Sequence, residues 1–350
     1  MTLNILIPWG SLVSISTFVE ETGAQMRVFD LGRRIQKISK TDFADIENLN
    51  KPYPSPYLQH AWIGILTWNP KKAGNHNIWF LKLPLDEQNF ILPGDRDAFL
   101  NHWLRCLQYP DKEHGEAPCY YKPDQNRMAY FHSLALATLG QSHTNFYNTT
   151  RAYLSGDIGW QNWQQLGLQG IAEVVVSIDK DKNAKLVAQG IANMPATPLN
   201  TLLGFLENIE PDYPLTVAIN DRLATVIQQG AEPADLAAFV RALSHSQNIE
   251  QRQMLIEVIL LHPKSTSIEV LASIASRCWQ DLKGDLLLSF LNVLATNEQG
   301  QGAFNALVAD LMPLPNKREH ILQAFRSEQR SEALMISIGN MMKSVQQASS

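Results

Sequence analysis

Cysteine is scarce in this 350-residue chain: Cys106, Cys119 and Cys278 are the three present. So few, and an odd number, build no disulfide framework, which suits a reducing compartment and makes the cytoplasm the expected location. Basic excess is missing too. Residues 1–150 hold 14 Lys and Arg against 14 Asp and Glu, and residues 151–350 hold 15 against 20. Neither half carries the positive field that neutralises phosphates, which argues against nucleic acid as a partner. No uninterrupted apolar run reaches the ~20 residues that span a bilayer, so no membrane span is expected. The apolar start MTLNILIPWGSLVSISTFV contains no Lys or Arg and is broken by Pro8 and Gly10. It does not read as a secretory leader, and residues 1–13 are expected to form a loose tail. Also lacking are a phosphate-cradling G-x-x-x-x-G-K-[ST], a dinucleotide G-x-G-x-x-G after a strand, an H-E-x-x-H and a G-x-S-x-G elbow. No cofactor is therefore expected.

What is present organises itself around Ala61–Leu92, which reads AWIGILTW, NPKKAGNHN, IWFLKLPL, DEQN and FIL. Aromatic and β-branched runs this free of charge read as strands covered on both faces. Ala61–Trp68 and Ile78–Leu83 become antiparallel neighbours across a turn, and Asp86–Asn89 turns the chain into a third strand, Phe90-Ile91-Leu92. Before them, Ser16 or Thr17 can cap a short helix that ends near Gly23. Gln25–Asp30 and Arg34–Ile38 flank Leu31-Gly32-Arg33 as a hairpin, and Lys40–Leu49 reads as a helix with Thr41 as cap. Three prolines in Lys51–Tyr57 force extended backbone. A helix from Asp95 to Leu107, capped by Asp95, closes residues 14–107 as an α+β domain: a small antiparallel sheet with flanking helices, order α-β-β-α-β-β-β-α. That order is similar to the roadblock and longin modules, which dock partners or dimerise, so a homodimer through the N-terminal sheet domain is one expectation.

Residues 108–125 read as a polar connector, and from 126 to 350 helical periodicity dominates. Helices starting near 181, 215, 248, 283 and 317 are each followed by a second after a short break, as in Leu215–Gln229 with Pro233–Leu243, or Ile249–Leu261 with Ser267–Trp279. Paired helices at a period near 34 predict an all-α, HEAT-like helical-hairpin stack. Gly167 and Gly170 fall inside a helical pattern and read as close packing rather than as a binding loop.

Three segments, RVFDLGRRIQKIS, YPSPYLQHAW and WFLKLPLDEQ, carry a resemblance over Met26–Leu92 and more weakly over the helical half. They resemble an uncharacterised bacterial family catalogued as a domain of unknown function, with members of about this length. Only the first dozen residues depart from its pattern. The resemblance implies no activity, substrate or cofactor.

Two sets of residues could carry chemistry. Asp30, Arg33, Arg34, His60, Asp86 and Glu87 sit at strand ends or turns, where scaffolds commonly carry binding groups. Asp30, Arg33 and Arg34 would bind a partner or ligand, because an arginine pair can fork onto a carboxylate or phosphate. His60 with Asp30, Asp86 or Glu87 would be the acid and base of an enzyme. The same residues can equally be ordinary turn chemistry. The second set is His102, Cys106, His114, Cys119 and His132, zinc-ligand types whose gaps match no common finger pattern. Trp62, Trp68 and Trp79 with Lys82 could imitate a base-stacking platform, although runs this apolar favour core burial. The resulting expectation is a non-enzymatic interaction or scaffold protein whose partner is another protein. The alternatives are an enzyme at the strand ends and, third, a nucleic-acid binder.

Overall fold

A computed structural model of the chain describes residues 14–71, 76–109 and 112–348. The loose tail expected at 1–13, and part of the turn expected between the two long strands, lie outside the described residues. The chain divides into two compact units, Met1–Asp124 and Gln125–Ser350.

In the first unit a four-stranded antiparallel sheet has the order β2-β1-β3-β4, built from β1 (Gln25–Asp30), β2 (Gln36–Ile38), β3 (His60–Trp68) and β4 (His76–Pro84). The connection after β2 runs through helix α2 (Lys40–Glu47) and the proline-rich stretch, and delivers β3 to the other side of β1. Register fixes the faces. Val28 lies opposite Ile65, Ile63 opposite Leu81, and Ala61 opposite Leu83. Since side chains alternate along a strand, these residues share one face. They form a core with Ile15, Phe18 and Val19 of α1 (Ile15–Glu21), Phe43 and Ile46 of α2, and Phe99, Leu100 and Trp103 of α3 (Pro93–Gln108). Trp79 joins it, its ring 5.6 Å from Phe99 and 5.4 Å from Trp103.

The sheet-plus-helices architecture follows the expected one, with differences at the element ends. Phe90-Ile91-Leu92 makes one bridge, Ile91 to Leu85, and no third strand after α2. Leu92 is the N-cap of α3, and Pro93 occupies the first turn, where its fixed φ and missing N–H cost nothing. Asp95 therefore lies inside that turn rather than capping it. Ser14 caps α1 and Ser39 caps α2, each accepting the backbone N–H three residues on. Part of the expected connector is bound to the sheet: Lys82 N donates to Cys119 O at 2.7 Å, and Tyr121 N to Phe80 O at 3.1 Å. Edge strand β4 is thereby partly paired.

The second unit is a two-row helical stack. One row is α4 (Gln125–Thr138), α6 (Leu168–Val176), α8 (Ala196–Leu206), α10 (Pro233–Leu243), α12 (Ile268–Arg277), α14 (Gln301–Leu311) and α16 (Glu332–Ala348), each packed on the next. In the other, α5 (Asn145–Leu154) packs on α7 (Asn183–Asn193) and α7 on α9 (Tyr213–Gln229), while α11 (Ile249–Leu260) packs on α13 (Gly284–Leu294) and α13 on α15 (Lys317–Ala324). Successive pairs begin at 183, 213, 249, 284 and 317, the helical-hairpin stack that the period predicts.

Polar bonds tie neighbours about one repeat apart in sequence. Tyr147 Oη donates to Asp181, Asn200 to Asp235, Arg252 to Asp281, and the Lys317 amine to the Leu282 carbonyl. One pair reaches further: Arg277, at the end of α12, donates through Nε and Nη2 to Glu207, the C-cap of α8, at 2.8 and 3.2 Å. Each side chain is 11% exposed. Gly170 sits where a Cβ would meet Phe146 O at 2.3 Å, so α6 touches the α5 backbone there and Gly170 is packing, as expected. Among the described residues, no helix is long and apolar enough to cross a membrane.

Candidate functional site

The first expected set separates into a buried corner and two independent turns. Asp30 ends β1. Its carboxylate accepts the Gly32 N–H at 2.8 Å, folding Leu31-Gly32 into an Asx turn, and also accepts the Ser55 hydroxyl. Burial pushes the Asp30 carboxyl above its usual range, against the Ser55, Gly32 and Tyr53 hydrogen bonds and the nearby Arg33 charge. Burial first, and the neighbouring Asp30 charge second, also raise the Tyr53 phenol well above its usual value. Arg33 is buried beside them: its Nε donates to Pro56 O at 2.9 Å, and its guanidinium lies 5.5 Å from the Tyr57 ring centre. Arg34 is half-buried in the same bend.

A ladder of rings and cations continues from Arg33. Tyr57 and Trp62 lie 6.1 Å apart, and the Trp62 indole N–H donates to Tyr57 O at 2.8 Å. Tyr121 meets Trp62 edge-on at 4.8 Å, and Lys82 stands over the Trp62 face, also at 4.8 Å. Trp62 and Lys82 are direct partners in the β3–β4 register. Lys82 thus occupies ring surface that a base would need, and Trp79 is spent in the helix-side core.

His60, Asp86 and Glu87 do not join the corner. The chain enters β3 through a two-residue turn in which Leu58 and Gln59 both have positive φ, 51° and 59°, and the His60 ring nitrogen bonds Leu58 O at 2.6 Å. Asp86 is absorbed by its own turn, accepting Gln88 N and Phe90 N at 2.8 and 2.9 Å, while Glu87 is exposed. Among the described residues, no hydrogen bond joins His60 to Asp30, Asp86 or Glu87.

Of the second set, His102 and Cys106 meet at 3.5 Å on α3, and the His114 ring lies 6.3 Å from that of His102. His114 itself bonds Tyr109 O. Cys119 stands apart from them with Asp95, 3.7 Å away, and burial with that carboxylate pushes its thiol up to about 11, so it stays protonated. His132 is exposed on α4, in the other unit. Among the described residues, no group of three or more His, Cys, Asp or Glu is placed to hold a metal ion.

Two features escaped the sequence reading. One is an open cleft of about 360 Å³ between α1 and the β1–β2 edge, lined among others by Val19, Met26, Arg27, Lys37, Lys40 and Trp68. The other is an outward stripe on α11. Leu255, Ile256, Ile259 and Leu260 face inward and are buried, yet Met254, Val258 and Leu261 are 62%, 49% and 86% exposed. A helix apolar on both faces reads in sequence as a buried one, which hides the stripe.

Together these features define a two-part protein: a small antiparallel sheet with helices on one face, followed by a stack of helical hairpins. The family model of DUF3549, a protein of unknown function, matches residues 11–342, and the chain belongs to that family. No curated protein matches the chain, and no solved structure does.

Proposed function

We propose that this chain is a non-catalytic interaction or scaffold protein whose partner is another protein. The carrying observation is the stripe on α11. Residues at i, i+4 and i+7 share one helix face, and three large apolar side chains left in water on that face are what a partner helix would cover. Hairpin stacks present extended binding surfaces, which supports the same reading. The three cysteines are free thiols, consistent with a reducing compartment, and we place the protein in the cytoplasm.

Photo-crosslinking in the source cells tests the reading. A photoreactive residue at position 258 is expected to give discrete protein adducts, and one at exposed Gln228 of α9 is not. Adducts from neither position, or the same adducts from both, would sink it.

A further inference from the structure

Resting on that reading, the geometry points to the chemistry of the partner: we infer that α11 receives an amphipathic helix with basic flanks. Two carboxylates border the stripe. Glu250 lies four residues before Met254 and Glu257 three after it, so on a helix both stand along one side of the Met254, Val258 and Leu261 row. Both are exposed, and among the described residues neither takes part in an ion pair. The cations nearest in sequence, Arg252 and Lys264, are already engaged. Arg252 is held bidentately by Asp281, at 2.9 and 2.8 Å, and Lys264 pairs with Glu232 at 2.7 Å. The rim therefore presents uncompensated negative charge beside an apolar row.

That combination selects among occupants. An anionic lipid surface would meet the two glutamates with like charge. A second copy of α11 packed on the first would set glutamates of one protomer near those of the other, which opposes self-association. An apolar row at helical spacing accepts knobs from another helix, and lysines or arginines beside that row would answer Glu250 and Glu257.

The test uses the full chain and labelled model peptides of about 18 residues, five helical turns. One is a Leu/Lys peptide with helical apolar spacing, the second has the same composition in strict alternation, and the third is a Leu/Glu peptide with helical spacing. Anisotropy titrations are expected to show binding of the first, with the other two at least about tenfold weaker. Met254→Ser, Val258→Ser and Leu261→Ser together should weaken the first by about tenfold, and Glu250→Gln with Glu257→Gln by about threefold. Circular dichroism should stay unchanged, since these side chains are exposed. Equal binding by the triple-serine variant would show mere bulk charge attraction and overturn the inference. So would equal binding of the Leu/Glu peptide. If no model peptide binds while position 258 still gives adducts in cells, this inference falls and the interaction reading stands; if the adducts are absent too, both fall.

Discussion

At the scale of single residues, Asp30 and Lys317 hold charges in places that disfavour them, and each gives stability a pH dependence of known sign. The Asp30 carboxyl is raised above 3.8 by burial. The native protein therefore keeps a proton that the unfolded chain has released, so this contribution is complete below about 3.8 and is lost as pH rises through the folded value. The stability difference between wild type and Asp30→Asn, from urea midpoints, is expected to fall as pH rises from about 4 to 7; a flat difference would contradict the burial argument. Lys317 runs the other way. Its amine is buried against Leu282 O and lies 5.9 Å from the Trp279 ring, and burial, outweighing the help of Asp281, lowers it to about 8. Between about 8 and 10.5 the native state has lost a proton that the unfolded chain still holds, so stability from this site grows with pH. Lys317→Met should remove that rise, read from the same midpoints. The juxtaposition of Asp30 with Arg33 was legible because only Leu31 and Gly32 separate them. The other partners of Asp30, Tyr53 and Ser55, were not, because a strand, a helix and a proline-rich bend lie between.

At the scale of elements, the turn into β3 departs most from local preference. Its two central residues sit in the left-handed region that Asn-Gly usually supplies in such a turn, and here they are Leu58 and Gln59. A left-handed residue with a Cβ costs about 1–2 kcal/mol, and a glycine there would cost about 0.4–1 kcal/mol through unfolded-chain entropy. The strain is the larger effect. Gln59→Gly keeps the Gln59 carbonyl that accepts Leu85 N at 3.0 Å and is expected to raise stability by about 0.5–1 kcal/mol in denaturant unfolding. A loss would mean that the Gln59 side chain carries a role. The strands of this unit were readable from aromatic and β-branched runs free of charge and from the turn residues between them. Element ends were less so: a serine just upstream won the caps of α1 and α2 over the candidates inside the helix, Leu92 took that of α3, and the third strand failed because Pro93 draws the chain into α3 after three residues.

At the scale of the whole molecule, the helical half was visible as a period, since every pair must bury an apolar face on its neighbour. Which faces stay outside was not visible, because burial on one side of α11 and exposure on the other use the same residue types. The contact between Glu207 and Arg277 was equally hidden, the two lying 70 positions apart. Its consequence is mechanical. A stack whose repeats touch only their nearest neighbours would peel one pair at a time under load, but this clasp bridges from α8 to α12 past the pair between. Pulling on the two ends in a force spectrometer should release that span in one event, lengthening the chain by roughly 25 nm at about 3.5 Å per residue. In Arg277→Met, which leaves a buried carboxylate without its cation, the event should come at lower force and split into two smaller ones. An unchanged trace would mean the clasp bears no load; a split would mark it as the rivet that makes two links of the chain yield as one.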